Sequence, residues 1–343
     1  MARNWLLVET LGDEPAVVAE GRQLKNLIPI MQFLRRSPDL AAIQTAITET
    51  VTTGESLASI TPKNNRVIRT EPVQMSDGRV HGVQVWIGPA AAEPPERPLP
   101  GPLKWDLTLG VATDTPASLA NSGRNPETEA THGRAFAEDL PTRDFSPNES
   151  KVLALAIRPE AGQTLCSSWD VTDWQGDAVR VAFVARNGWE STVSGRDHLI
   201  SRGINWRCDL AGPSRPPDVL ARQILQAFTQ PGVHRALVDL GDWRLLKWLD
   251  EPWPLCDRQD SADAPRVHSD DAVVIARMTT EFATGPAAGV LRLRRHDGGW
   301  APMHVTVNRV ELESSVAGLV ALRVPTVDEL AEAALPVGDP PAS

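Results

Sequence analysis

The stretch "TGPAAGVLRLRRHDGGWAPMHVTVNRV", Thr284 to Val310, decides how the rest of the chain is read. Apolar and polar residues alternate on both sides of Asp297-Gly298, the pattern of two half-buried strands around a tight turn. Leu291, Leu293, Val305 and Val307 fall on one face and Arg292 and Arg294 on the other, with Trp300 just past the turn. The inner set is expected to meet helices and the arginine face to look outward.

Working outward, "SDDAVVIARMTTEFATG" reads as a helix. It opens at Ser269, Asp270 and Asp271, where side-chain acceptors and negative charge favour a helix start, and it stops at Gly285. "HRALVDLGDWRLLKWL" places two apolar runs around Leu240-Gly241-Asp242, and "SVAGLVALRV" supplies a last strand. Val316, Leu319, Val320 and Leu322 put apolar residues on both faces of that strand, so its second face is expected to pack on a neighbouring domain or subunit.

The N-terminal ninety residues repeat the plan. Trp5–Val8 and Ala16–Ala19 flank Gly12-Asp13-Glu14 as a hairpin, and "LKNLIPIMQFLRR" has helical spacing. Leu40, Ile43, Ile47 and Val51 lie on one face of a helix that ends near Gly54. "RVIRTEPV" and "RVHGVQVWIG" then form a meander around Ser76-Asp77-Gly78. The middle of the chain is less regular. "KWDLTLGVA" reads as one strand with Trp105, Leu107 and Leu109 on a face, and "SLANSGRNPETEATHGRAF" reads as loop. "SPNESKVLALAI" reads as a helix with Ser146 as N-cap and Pro147 at its first position. "QTLCSSWDV" and "DAVRVAFVAR" are strands around Gln175-Gly176-Asp177, and "DHLISRGINWRCDL" adds another.

Two proline-rich segments, Pro89–Pro102 and Gly212–Pro217, punctuate the 343 residues. They divide the chain into 1–90, a linker at 91–103, a middle domain at 104–211, a C-terminal domain at 212–327 and a tail at 328–343. The fold class is α+β, three tandem domains that each place helices on an antiparallel sheet.

Composition narrows function. A net charge of −10 disfavours general binding to nucleic acid or anionic membranes. No signal peptide or membrane span is read, and the three dispersed cysteines, Cys166, Cys208 and Cys256, fit a reducing cytoplasm rather than a disulfide framework or zinc site. Five lysines against 29 arginines reflect a GC-rich genome, and the absence of tyrosine removes phenolic acid–base chemistry.

Val267 to Val324 resembles a PAS domain. The carrying features are His268-Ser269-Asp270-Asp271 at a helix start, Thr284-Gly285 at its end, Leu291 to Trp300 in the strand pair and Gly318 to Val324 in the last strand. Asp77 to Gly88 resembles the strand ending shared by PAS and GAF domains. The whole chain resembles mycobacterial (actinobacterial) proteins made only of sensor domains, one GAF and two PAS, with the middle block taken as the GAF. That resemblance implies three PAS/GAF-like domains in a non-enzymatic cytoplasmic sensor or scaffold, which signals by protein–protein interaction. It has no output domain of its own and so acts through a protein partner. It also implies apolar, aromatic-lined cavities able to hold a small ligand.

Trp243, Trp248, Trp300, Arg292, Arg294 and His304 are the candidate ligand or partner residues. No residue is assigned to catalysis or metal binding, and no cofactor is required by the sequence. His268 with Asp270 and Asp271 is read as helix capping rather than a metal cluster, and Cys166 as a buried structural thiol. Two alternatives stand beside the sensor reading. One is a hydrolase with a composite site drawn from Ser194, Asp197 and His198, or from His268, Asp270 and Asp271. The other is a haem- or flavin-bearing sensor.

Overall fold

The computed structural model describes residues 4–61, 65–135, 149–157, 159–192, 195–209, 230–255, 266–282, 285–312 and 315–333. Ser146, Pro147, Ser194, Cys256, Thr284 and the Gly212–Pro217 segment lie outside these residues. The chain forms two compact units, one of residues 1–106, 112–133 and 160–215, the other of 107–111, 134–159 and 216–343. Three antiparallel sheets with few helices give an α+β fold of three domains.

The first sheet holds β1 (Leu6–Glu9), β2 (Ala16–Glu20), β3 (Gln23–Pro29), β4 (Leu57–Thr61), β5 (Arg66–Gln74) and β6 (Val80–Pro89). Its order is β3-β2-β1-β6-β5-β4, so the first strand of the opening hairpin pairs with the last strand of the meander. The "LKNLIPIMQFLRR" stretch departs from its helical reading. It continues β3 to Pro29, and only Ile30–Phe33 forms a short helix, α1. Proline has no N–H for a helix interior and disfavours helical backbone before it. Val17 and Ala16 of β2 pair instead with Ile28 and Pro29. Helix α2 (Leu40–Thr53) ends as read, with Gly54 in the left-handed region at φ 72°. It buries Ile43, Ala46, Ile47 and Thr50 against Leu6, Val8, Val83 and Val85. Each such aliphatic side chain contributes about 1.5–3 kcal/mol on leaving water.

The second sheet runs β10-β11-β12-β7-β8-β9, and β7, β10, β11 and β12 belong to the same unit as the first sheet. Its strands are β7 (Gly101–Asp106), β8 (Val111–Asp114), β9 (Arg134–Ala135), β10 (Thr164–Thr172), β11 (Ala178–Ser191) and β12 (Asp197–Cys208). "KWDLTLGVA" is therefore two strands, because the chain turns at Gly110 (φ 73°). The stretch read as loop contains helix α3 (Pro116–Asn121), whose N-cap Thr115 accepts a hydrogen bond from the Ser118 N–H. Leu7, Val18 and Val73 of the first sheet share one buried cluster with Ala182, Val184, Ile204 and Trp206 of the second. This is why β1 is buried on both faces, with no outward polar alternation. Gly82 lets the two sheets come close. A Cβ there would lie 2.7 Å from Ile204 Cδ1 and 2.6 Å from the Val8 carbonyl. The proline-rich linker is laid against the first sheet, since Trp5 Nε1 donates to Pro95 O (3.0 Å) and Gln84 Nε2 to Pro98 O (2.8 Å).

The other unit carries the third sheet, ordered β14-β13-β17-β16-β15. Its strands are β13 (Val233–Asp239), β14 (Leu245–Trp248), β15 (Ala287–Arg294), β16 (Trp300–Leu312) and β17 (Ser315–Arg323). Helix α5 (Ala272–Glu281) follows a short 3-10 turn at Ser269–Asp271 and packs over β15. Leu291, Val305, Val307, Val320 and Leu322 are buried in its core with Met278 and Phe282, and Leu293 packs against it. Helix α4 (Glu149–Ile157), which precedes β10 in the chain, packs against β16 and β17. Its Val152, Leu153 and Ala154 are buried, as are Leu237 and Ala317 on the sheet face opposite that core. The second apolar face of the last strands thus meets a helix contributed from between the second sheet's strands. Helix α6 (Val327–Glu332) carries the chain beyond residue 327. It is closed by a Thr326–Glu329 capping box and seated by buried Leu330.

All three sheets have the same core order: second, first, last, last-but-one and next strand of the block, with one further strand in the first two.

Candidate functional site

The six residues picked from the sequence all lie in the third sheet's unit, where they take different positions. Trp248 is buried in the core beside Trp253, and Trp243 packs on the edge of the same cluster. Trp243 follows the turn after β13 with φ 62°, and its N–H donates to Asp239 O (2.9 Å). A non-glycine residue held there costs about 1–3 kcal/mol, so its surroundings must fix it. Trp300 meets His268 edge to face at 5.0 Å. His268 Nδ1 accepts from the Asp270 N–H (3.3 Å), the N-cap read for this histidine.

Arg292 closes the same helix start. Its Nη2 lies 2.6 Å from Asp271 Oδ1 and its N–H donates to Asp271 Oδ2 (2.6 Å). Arg294 is half-buried on the same strand face, and its N–H donates to Arg266 O (3.0 Å). The arginine face thus begins by pinning β15 to the helix start. His304 lies 3.4 Å from Glu329, which also takes both ends of the Arg323 guanidinium. Burial, then the Arg323 charge, holds His304 below the ordinary imidazole range. The Arg323 hydrogen bonds bring Glu329 down to about 2. The site residues therefore divide into a tryptophan edge, a helix-start clamp and a His304–Glu329–Arg323 cluster.

Of the hydrolase candidates, Ser194 lies outside the described residues, and His268, Asp270 and Asp271 gather at the helix start, where His268 Nδ1 lies 3.5 Å from Asp270 and Arg292 takes up both carboxylates. Asp197 and His198 are consecutive on β12 and face opposite ways, Asp197 accepting from Ser191 Oγ (2.7 Å) and His198 Nδ1 lying 2.7 Å from Asp106 Oδ2. Among the described residues no group of three His, Cys, Asp or Glu is placed to hold a metal ion. Burial pushes the Cys166 thiol up to about 11, which suits the structural reading of that residue.

Sequence reasoning passed over a polar seam between the first two sheets. His81 is fully buried there. Its Nδ1–H donates to Gly203 O (2.9 Å) and its Nε2 accepts from Arg202 Nη1 (3.1 Å), the neutral tautomer that fits both partners. Burial, with help from the Arg202 charge, lowers its pKa to about 4. Arg202 forks onto Glu190 (2.6 and 2.8 Å) and reaches Asp77 (2.8 Å). Burial opposes charge on these carboxyls, yet the guanidinium prevails and holds both below the usual range. At the far end of the seam Arg186 grips buried Glu9 through two hydrogen bonds (3.0 and 3.2 Å). Arg202 inside the apolar run "LISRGINW" was the available signal, since a charge among buried strand residues needs a partner.

Family models described as Rv3651-like cover the chain in sequence: N-terminal (residues 4–96), middle (99–208) and C-terminal (218–333). The chain is also similar to the crystal structure of an uncharacterized Mycobacterium tuberculosis protein. They share 62% identity over 97% of this chain and 100% of that one, with a TM-score of 0.87. Weaker similarity reaches a sensory box histidine kinase/response regulator from Burkholderia thailandensis (18% identity, 38% of this chain and 92% of that one, TM-score 0.23). An RNA-binding light-oxygen-voltage receptor is similarly distant (9% identity, 69% and 97%, TM-score 0.24), and at these scores neither carries an argument. No curated protein matches. The chain belongs to the Rv3651-like family.

Proposed function

We propose that this Rv3651-like protein is a non-enzymatic cytoplasmic signalling scaffold, whose tandem GAF/PAS-like domains take in a ligand or partner signal and pass it to a separate protein. The observation that carries the reading is the strand order repeated in three successive sheets, each following its own opening hairpin. Repetition at domain scale suits a device that combines inputs. The helix-to-meander motif around Gly285 and Asp297-Gly298, which resembles PAS, supports the same assignment. A ligand acts here by favouring one domain arrangement over another, through its different affinity for each.

The test joins a pulldown from the native organism's lysate with a thermal-shift screen of metabolites, both on full-length protein. A stoichiometric partner, or a compound that raises the melting temperature saturably, is the expected result. Neither appearing would sink the proposal.

A further inference from the structure

The second sheet has a face turned away from the first, and polar side chains are buried on it in two ways. Near α3 every amide is matched. Asn121 Nδ2 donates to Asn205 Oδ1 (3.2 Å) and Leu99 O (2.9 Å), Asn205 Nδ2 donates to Ser118 Oγ (3.0 Å), and Ser118 donates to Asp114 (2.5 Å). Two rows further along the strands the matching stops. Asn187 on β11 pairs across to Ser201 on β12, and Ser201 pairs across to Trp105 on β7. Cross-strand partners share a face about 5 Å apart, so the three side chains stand in one line. All three are buried, and Asn187 Nδ2, Asn187 Oδ1 and Ser201 Oγ have no hydrogen-bond partner.

Three bare polar groups together are expensive, at about 1–3 kcal/mol each. Folded proteins leave few of them, and apolar residues of the same shape would cost nothing here. The next row is small, Ala185 opposite Gly203. A Cβ on Gly203 would lie 2.8 Å from the Val184 carbonyl and 3.5 Å from Ala185 Cβ and Leu103 Cδ1, so the row beside the polar one takes only small residues.

We infer that Asn187 and Ser201 form the recognition end of a binding site for a small, flat, uncharged molecule with an amide edge, a lactam or cis-amide. The chemistry follows from the residues. A carboxamide bare at both atoms asks for one donor and one acceptor side by side, and the serine hydroxyl serves either. The two rows carry no charged side chain, so the ligand is neutral. Trp105, opposite Ser201 in the same row, is the aromatic partner for a flat ring. This gives the sensor reading a ligand class and rests on that reading for its purpose, while its test does not.

The test titrates full-length protein with 2-pyridone, whose ring N–H and carbonyl lie side by side, and with N-methyl-2-pyridone, which lacks the donor, followed by calorimetry. Saturable binding of 2-pyridone is expected, at least tenfold weaker for the methylated ring and for Asn187→Leu. Asn187→Leu and Ser201→Ala should melt at or above the wild-type temperature, and Ser201→Ala carries the test if Asn187→Leu does not fold. Equal binding of the two rings, binding undiminished in the variants, or a marked fall in melting temperature on both substitutions would overturn the site. So would a crystal structure with only a buried water between Asn187 and Ser201, together with no binding. Failure here with a partner still captured leaves the scaffold standing. Pyridone binding without any partner or stabilising metabolite leaves the site standing and removes the scaffold.

Discussion

The first and third sheets share strand order and a helix placed before the meander, yet they cover their second faces differently. The first sheet lays that face on another sheet and threads charge through the contact, with His81, Arg202, Glu9 and Arg186 all in the seam. Among the described residues the third covers it with helix α4, which buries Val152, Leu153 and Ala154. The helix-facing side of each sheet is thus a common solution, and the other side is where the domains diverge. Differences in pH response and in tolerance of substitution should follow that division.

The largest expected effect tests the common side. Ile47→Ala under the first sheet and Leu291→Ala in the third each remove a fully buried aliphatic side chain. Each should cost about 3–4 kcal/mol in urea denaturation. If one costs less than about 1 kcal/mol, the two cores are not equivalent.

Next comes acid. The unfolded chain binds a proton on His81 near pH 6.5, whereas the folded protein does so only near 4. The folded state is therefore at full strength above pH 6.5 and weakens as the pH falls toward 4, by on the order of 3 kcal/mol. His81→Gln should remove most of that loss in melts taken at pH 7 and pH 4.5. His304, also lowered, acts in the same sense in the other unit, and the same melts with His304→Gln report its share. A larger relief from His304→Gln would reverse the assignment of pH sensitivity to the seam.

Smaller again is Glu9→Ala, which strands the Arg186 guanidinium. Because Arg186 keeps a quarter of its side chain exposed, the expected cost is about 2 kcal/mol rather than the full penalty of a dry ion. Chemical denaturation should show that loss in the first unit's transition alone. Least of all, Thr326→Ala removes the α6 cap and should cost about 1 kcal/mol, read by the same method.

Much of the fold was legible because period-two alternation and glycine turns are local signals. The Asp297-Gly298 hairpin, the Gly54 helix stop and the β10–β11 pair around Gly176 all stand where the residues put them. Legibility failed where tertiary partners decide. Leu24 to Phe33 has helical spacing, but Pro29 and pairing with β2 make most of it strand. The middle sheet's kinship with its neighbours was hidden by the turn at Gly110 and by the short α3. The candidate residues were chosen by type on one visible hairpin. Neither the His81 seam nor the Asn187–Ser201–Trp105 row appears in any one stretch, since β7 and β12 lie some hundred residues apart in the chain and meet only in the folded sheet.

Helix α4 also has a bearing on time. It leaves the ribosome well before β16 and β17, the strands it packs against, which end near residue 323. At about 5–20 residues per second, its apolar side waits roughly ten seconds or more for its partner. During synthesis that interval belongs to chaperones or to misassociation. A fragment cut at the middle family segment, residues 99–208, makes the wait permanent, because the helix is kept and the sheet that should receive it is not.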